Sequence, residues 1–405
     1  MQPEVEHIGS KVMFSWRSQG IQALVRNYHE HRDGRVTAEV TWRKADQGHI
    51  LMTQLNLLSS QTRRQISKEL EEIHPIGQWE VLIEQLCVKT IELFRQGEPI
   101  VFLDTNREIH SPEYLIYPLI YRNQPNLIFG EGGTGKSYLA LALALLCQAG
   151  YTEPLDLNLR LKKANVFYLD YETTEEETTR RLKLLARGFA IPEASIMYRE
   201  CRLPLVEDIG QIEELVLEHK PDFIIIDSLG VAAAQNLSEA QTATAFYAAL
   251  RRIKATVLLI SHMAKEPETK KPTPFGSVYW RNIARNEWFV RRNPEAGEDI
   301  LTIGLFHTKN NLGKLMKPQG FTFRFEDDAI KVESCDVSKI GAFLENLTLK
   351  EQIREVLRHG KMTEDDIAEV LGAKKGSVHA TLYDNPDIFV KLGKKEWGLK
   401  APELL

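Results

Sequence analysis

The sequence predicts an α/β protein: a mainly parallel sheet with helices on both faces, preceded by a small α+β domain and followed by a module of helices and a hairpin. Three observations lead there. Between about residues 106 and 340, short runs rich in Val, Ile, Leu and Phe alternate with helical stretches, the pattern of parallel strands buried on both sides. A glycine-rich segment joins one of those strands to one of those helices. The apolar period changes on either side of this region, and 405 residues exceed what one core ordinarily holds. The expected domains are 1–105, 106–345 and 346–405.

The first domain opens on strand-like stretches, Lys11 to Trp16 and Val36 to Trp42, separated by the turn signal His31-Arg32-Asp33-Gly34. Helical patterns follow around Thr62 to Ile73 and Trp79 to Arg95. No catalytic constellation stands out among its residues. In the central domain the expected strands are Asn126 to Phe129, Ala164 to Leu169, Phe223 to Ile226, Thr256 to Ile260 and Ile300 to Leu305. Helices are expected over Ser137 to Cys147, Glu175 to Gly188, Ile209 to His219 and Ala240 to Lys254. Ligands in such folds bind at the carboxyl ends of the strands. The last segment has helical patterns over Lys350 to His359, Thr363 to Leu371 and Lys375 to Tyr383. A strand-like pair, Ile388 to Leu392 and Glu396 to Leu399, turns at Gly393-Lys394. Helices followed by a hairpin predict a winged helix-turn-helix.

Composition narrows the classes. The apolar and charged fractions, 43% and 26%, are those of an ordinary globular chain. A net charge of −5 argues against a surface coated in positive charge, although a local basic channel would not show in the total. Cys87, Cys147, Cys201 and Cys335 lie far apart with no ligand spacing, so neither a disulfide scaffold nor a zinc site is expected. The start, MQPEVEHIGSK, lacks the basic end and apolar core of a secretory signal. The longest apolar run, Leu139 to Cys147, is about half of a bilayer span, so a cytoplasmic protein without membrane contact is expected.

The strongest chemical signal is Gly130-Glu131-Gly132-Gly133-Thr134-Gly135-Lys136-Ser137 followed by Tyr138, a match to GxxxxGK[ST] with a strand before it and a helix after it. Glycines let the backbone wrap closely around phosphate, and amides at a helix N-terminus point at negative charge. Lys136 is then expected at the β and γ phosphates of ATP and the Ser137 hydroxyl on Mg2+. Asp227 ends the apolar strand Phe223 to Ile226, where a carboxylate helps hold that cation; aspartate also ends strands simply by starting turns. Glu172 follows Val166 to Leu169 and is the candidate to orient or deprotonate the attacking water. Glu175, Glu176 and Glu177 come next, and acids in a first helical turn are favoured by the helix dipole alone. His262 ends Val257 to Ile260-Ser261, placed either to sense the γ phosphate or to pack and cap.

These elements, in this order, resemble the RecA-like ATPases, and within them the group of the plasmid replicative helicase RepA, whose relatives are often described as AAA-type ATPases. The resemblance spans about residues 106 to 340 and includes Glu172, His262 in Ser261-His262-Met263-Ala264-Lys265, and Gly276-Ser277-Val278 leading to Arg285 and Trp288. It implies a RecA-like sheet, a catalytic glutamate, a γ-phosphate sensor and a homo-oligomeric ring, hexameric in the RepA group, with ATP between subunits. Arg285, or Lys309 in His307-Thr308-Lys309-Asn310-Asn311, would then reach the neighbouring subunit's ATP; both are equally readable as surface cations. Lys265 to Pro274 is a proline- and charge-rich loop, open to solvent or facing a channel that holds single-stranded DNA.

In the C-terminal module Lys374, Lys375, Ser377, His379 and Thr381, with Lys391, Lys394 and Lys395 in the hairpin, offer contacts to duplex DNA. Glu364, Asp365, Asp366 and Glu369 make the preceding helix acidic, which suits protein docking as well. The resulting expectation is a magnesium-dependent ATP hydrolase coupled to DNA translocation, unwinding or remodelling. Its rivals are an ATP-switched DNA-binding or loading factor that unwinds nothing, and an assembly protein that merely holds nucleotide.

Overall fold

A computed structural model describes residues 2–9, 11–31, 33–44, 48–97, 100–106, 108, 111–154, 156–233, 237–263, 272–274, 278–393 and 395–400. These form two compact units, Met1–His110 with Asp208–His219, and Ser111–Glu207 with Lys220–Leu405.

The first unit is an antiparallel sheet in chain order, β1 (Glu4–Ile8), β2 (Lys11–Trp16), β3 (Ile21–Glu30), β4 (Val36–Lys44) and β5 (Gly48–Asn56), with helices α1 (Ser60–Ile73) and α2 (Trp79–Gln96). Alternation builds it: Val12, Phe14 and Trp16 point to the core while their neighbours are partly exposed. Trp42 is the hub, stacked on Trp16 at 5.9 Å and met edge-on by Trp79 at 5.2 Å. Ser59 caps α1 by accepting from the Thr62 amide.

The second unit begins with β6 (Tyr114–Tyr117), β7 (Ile120–Tyr121) and β8 (Pro125–Gly130), and continues through α3 (Lys136–Ala149), β9 (Arg160–Leu161), β10 (Val166–Asp170) and α4 (Glu175–Gly188). Next come β11 (Met197–Glu200), α5 (Leu205–His219), whose residues from Asp208 on belong to the first unit, and then β12 (Phe223–Asp227), α6 (Leu229–Ala233), α7 (Ala240–Leu250) and β13 (Thr256–His262). After α8 (Val278–Ile283) the chain forms β14 (Asn286–Arg292), β15 (Ile300–Asn310), β16 (Gln319–Phe325) and β17 (Ile330–Ser334).

Nine of these strands make one sheet in the order β11-β10-β12-β13-β8-β14-β15-β16-β17. Neighbours from β11 to β14 run parallel, and β15 to β17 continue antiparallel. Ile128, Val166, Phe223, Ile225 and Leu258 join α3 in one core, and the alternate residues Leu127, Leu169, Ile224, Ile226 and Leu259 are buried as well. Both faces of the parallel part are therefore covered, as continuous apolar runs require. Register carries the functional consequence. Asp170 pairs with Asp227, and His262 with Gly130, so the polar residues that end separate strands share one edge.

The remaining elements are α9 (Leu349–Arg358), β18 (Met362–Thr363), α10 (Glu364–Leu371), α11 (Lys375–Tyr383), β19 (Phe389–Leu392) and β20 (Glu396–Leu399). The three strands pair as β18-β20-β19, and Ile353, Leu357, Ile367, Val378, Leu382, Phe389 and Trp397 form their own core with the helices. Thr348 and Thr363 start α9 and α10 with capping boxes. The segment leading in is anchored on the main sheet, where Phe343 packs among Phe129, Phe289 and Phe306. Among the described residues no helix is long and apolar enough to cross a membrane.

Candidate nucleotide site

The phosphate-binding pattern lies where a strand gives way to a helix, and its geometry explains its glycines. A β-carbon on Gly130 would stand 2.4 Å from the Val290 carbonyl oxygen, because β14 runs directly beside the loop. Gly135 has a φ of 81° and a β-carbon there would meet Leu301 at 2.5 Å. Lys136 opens α3 with its side chain turned back into the loop. Its Nζ donates to the carbonyl oxygens of Gly130 at 3.1 Å and Glu131 at 2.6 Å, and to Thr134 Oγ1 at 3.2 Å. Burial pulls the Lys136 ammonium down to about 8, partly offset by Asp227 and Glu172.

Asp227, at the end of β12, is 4% exposed. Tyr168 donates to its Oδ2 at 2.6 Å, Ser137 bonds the carboxylate through its side chain, and Oδ1 is buried with no partner. Burial raises the Asp227 carboxyl above its ordinary range, and the bonds from Tyr168 and Ser137 act against that. A hydroxyl beside a carboxylate with one uncommitted oxygen is a hard-oxygen donor set. That fits Mg2+, which takes one or two carboxylates and completes its shell with water and phosphate oxygens.

Glu172 stands two residues beyond β10 because Asp170 folds the turn. Asp170 Oδ1 accepts from the amides of Glu172 at 3.0 Å and Thr173 at 2.9 Å, while Oδ2 accepts from Thr173, Thr178 and Tyr198 hydroxyls. Both oxygens of Asp170 are consumed. Glu172 remains exposed, with Ser228 donating to its Oε1 and His262 Nε2 lying 3.3 Å from the same oxygen. His262 first, then Ser228, hold the Glu172 carboxyl below its usual value against burial.

Gly133 to Tyr138, Glu172, Asp227, Ser228 and His262 line one cavity of about 330 Å3. Glu175, Glu176 and Glu177 do not line it; Thr174 caps their helix, and Glu177 pairs with Arg180 and Arg181. The far wall holds residues that sequence reasoning passed over, namely Arg181, Arg292, Glu298 and Phe325. Tyr138 meets the Phe325 ring edge-on at 5.3 Å and carries the Arg181 guanidinium over its face at 5.0 Å, a flat apolar surface beside the loop. Arg292 and Phe325 come from β14 and β16, whose apolar runs are broken by charge and by alternating Thr and Arg.

Arg285 and Lys309 lie at the other edge of the sheet. The Arg285 amide bonds the Pro125 carbonyl at the start of β8, and its side chain is exposed. Lys309 instead turns inward, donating to the carbonyl oxygens of Arg281 at 2.5 Å and Ala284 at 2.8 Å at the end of α8. Burial lowers its ammonium, with the buried Glu287 opposing.

In the C-terminal module Lys374, Lys375, Ser377 and His379 are exposed, as are Lys391 and Lys395. Several are engaged locally: Lys375 with Asp365 at 2.5 Å, His379 with Glu364 at 2.9 Å and Lys391 with the Tyr383 hydroxyl at 2.9 Å. Thr381 donates back to the Ser377 carbonyl. Lys394, Gly276, Ser277 and the loop from Lys265 through Lys271 lie outside the described residues.

Residues 93–268 match the family model described as an AAA domain. A KaiC-like protein from the hyperthermophilic archaeon Pyrococcus horikoshii OT3 is a similar solved structure. It is 16% identical, is covered over 98% of its own length by 56% of this chain, and has a TM-score of 0.38. Comparison with curated proteins gives no match. The phosphate loop, Glu172, Asp227 and His262 all fall inside the AAA-matched segment.

Proposed function

We propose that this chain, whose residues 93–268 match an AAA domain, is a RecA-like, magnesium-dependent ATP hydrolase that couples turnover to movement on, or remodelling of, DNA. One observation carries the hydrolase reading: Lys136, Ser137, Asp227, Glu172 and His262, drawn from separate strand ends, meet on one cavity. Amides at the start of α3 and the Lys136 ammonium bind the β and γ phosphates. Ser137 and Asp227 would hold the magnesium ion, which would supply positive charge to the phosphate oxygens. Glu172, held through Oε1, offers its other oxygen to the attacking water. His262 touches both Glu172 and the cavity, and so is placed to register the loss of the γ phosphate.

DNA as partner is supported by the C-terminal module, read as a winged helix-turn-helix. Its exposed α11 carries Lys375, Ser377 and His379, and the adjoining hairpin carries Lys391 and Lys395. A ring of copies with ATP between them is supported by the exposed Arg285 at the sheet edge opposite the phosphate loop. The second reading, an ATP-switched loading factor that unwinds nothing, draws on the local pairing of Lys375, His379 and Lys391. Phosphate release with and without DNA, beside Lys136→Ala, tests the proposal. Turnover is expected in the native chain and lost in the variant; wild-type turnover in Lys136→Ala would refute it. A strand-displacement assay separates the two readings.

A further inference from the structure

Tyr168 sits inside β10 on the face that α3 covers, where a phenylalanine would fill the same space. It is 3% exposed. A buried phenol is costly without a partner, and the partner here is Asp227 Oδ2 at 2.6 Å. Burial and the neighbouring carboxylates raise the Tyr168 hydroxyl well above its ordinary value, so it remains a donor. The adjacent pair has the same chemistry, with Tyr198 donating to Asp170 Oδ2 at 3.2 Å. The outcome differs. Asp170 has both oxygens filled by the turn that follows, whereas Asp227 keeps Oδ1 without a partner.

We propose that Tyr168 is a positioning residue for the magnesium of the nucleotide site: its hydroxyl holds Asp227 Oδ2, fixes the carboxylate, and reserves Oδ1 for the cation and its water shell. The inference rests on the ATPase reading above. A tyrosine that only filled the core would leave magnesium affinity untouched when its hydroxyl was removed. A residue that orients a metal-binding carboxylate costs roughly 10- to 100-fold in metal affinity when lost.

The test is the magnesium dependence of binding of a fluorescent ATP analogue to the full chain, read by anisotropy. For Tyr168→Phe the half-saturating magnesium concentration is expected to rise about tenfold or more, with nucleotide affinity in excess chelator unchanged. Tyr198→Phe removes an equivalent bond from Asp170 and is expected to keep the wild-type magnesium dependence. Wild-type dependence in Tyr168→Phe, or an equal shift in Tyr198→Phe, would overturn the assignment. Should Tyr168→Phe fail to fold, 3-fluorotyrosine at position 168 keeps the shape and the bond but donates more strongly, drawing charge off Asp227. Half-saturating magnesium is then expected to rise, and an unchanged value overturns the proposal. Failure of the ATPase reading looks different, because the native chain would then bind no nucleotide.

Discussion

Glu172 shows how much of the proposed chemistry depends on the neighbours of the candidate base. Ser228 and His262 both address Oε1, and the Asp170 turn fixes the backbone beneath it. Oε2 is left to meet water. Glu172→Gln preserves the shape and one acceptor oxygen while removing the base, so ATP affinity should hold and turnover should fall by about 100-fold or more; binding and phosphate release measured side by side check this. Because its carboxyl is held low, Glu172 stays ionised throughout the neutral range and sets no limit there. Lys136 does. Its proton is lost near pH 8 in the free chain, whereas phosphate oxygens favour the charged form. ATP affinity should therefore be flat below about pH 8 and decline above it, by up to ~10-fold per pH unit for one linked proton. A pH titration of nucleotide binding that stays flat to pH 9.5 would remove Lys136 from that role. Lys136 and Glu172 are legible in the sequence because motif and strand-end position coincide. Tyr168 and Ser228 are not: an aromatic inside a strand reads as core, and a serine after an aspartate reads as a turn.

At the scale of elements, the parallel strands were readable because burial on both faces forces continuous apolar runs such as Phe223 to Ile226. The strands on the far side of β8, the parallel β14 and the antiparallel ones after it, were harder. β14 carries the buried Glu287 and ends in two arginines, and β17 exposes alternate residues, so neither forms a long apolar run. Missing β14 and β16 meant missing Arg292 and Phe325 on the cavity wall. In the C-terminal module the same balance of local charge bears on partner choice. Lys374 and Lys391 are exposed, and Lys391 also lies over the Tyr383 and Trp397 rings. If α11 and the hairpin contact duplex DNA, Lys374→Glu and Lys391→Glu in the full chain should weaken binding at low salt. Each should also flatten the dependence of log affinity on log salt by about one, since each contact releases about one counterion. Duplex titrations at several salt concentrations decide it; unchanged affinity in both variants would favour protein docking.

At the scale of the whole molecule, the question is whether one chain completes its own site. The cavity gathers the phosphate loop, Ser137, Asp227 and Glu172 from a single chain, while Arg285 stands exposed at the opposite edge of the same sheet. A cation so placed serves no phosphate of its own chain. In a ring it would meet the γ phosphate held by the next subunit, as arginine fingers do when supplied in trans. Lys309 shares that edge but is committed to the Arg281 and Ala284 carbonyls, so its loss should weaken the end of α8 and lower stability. The two variants are therefore expected to behave differently. Arg285→Ala should keep ATP binding and lose turnover, and mixing it with Lys136→Ala chains should restore part of that turnover. Those partners lack a working pocket but keep their arginine, so some interfaces then join an intact pocket to an intact finger. Lys309→Ala should melt earlier, and any activity it loses should not return on mixing. Phosphate release across mixing ratios, with DNA present to favour assembly, reads both outcomes. A cis-acting Arg285 would give loss without rescue, and a plain surface arginine would give no loss; either result would rule out an ATP site shared through Arg285.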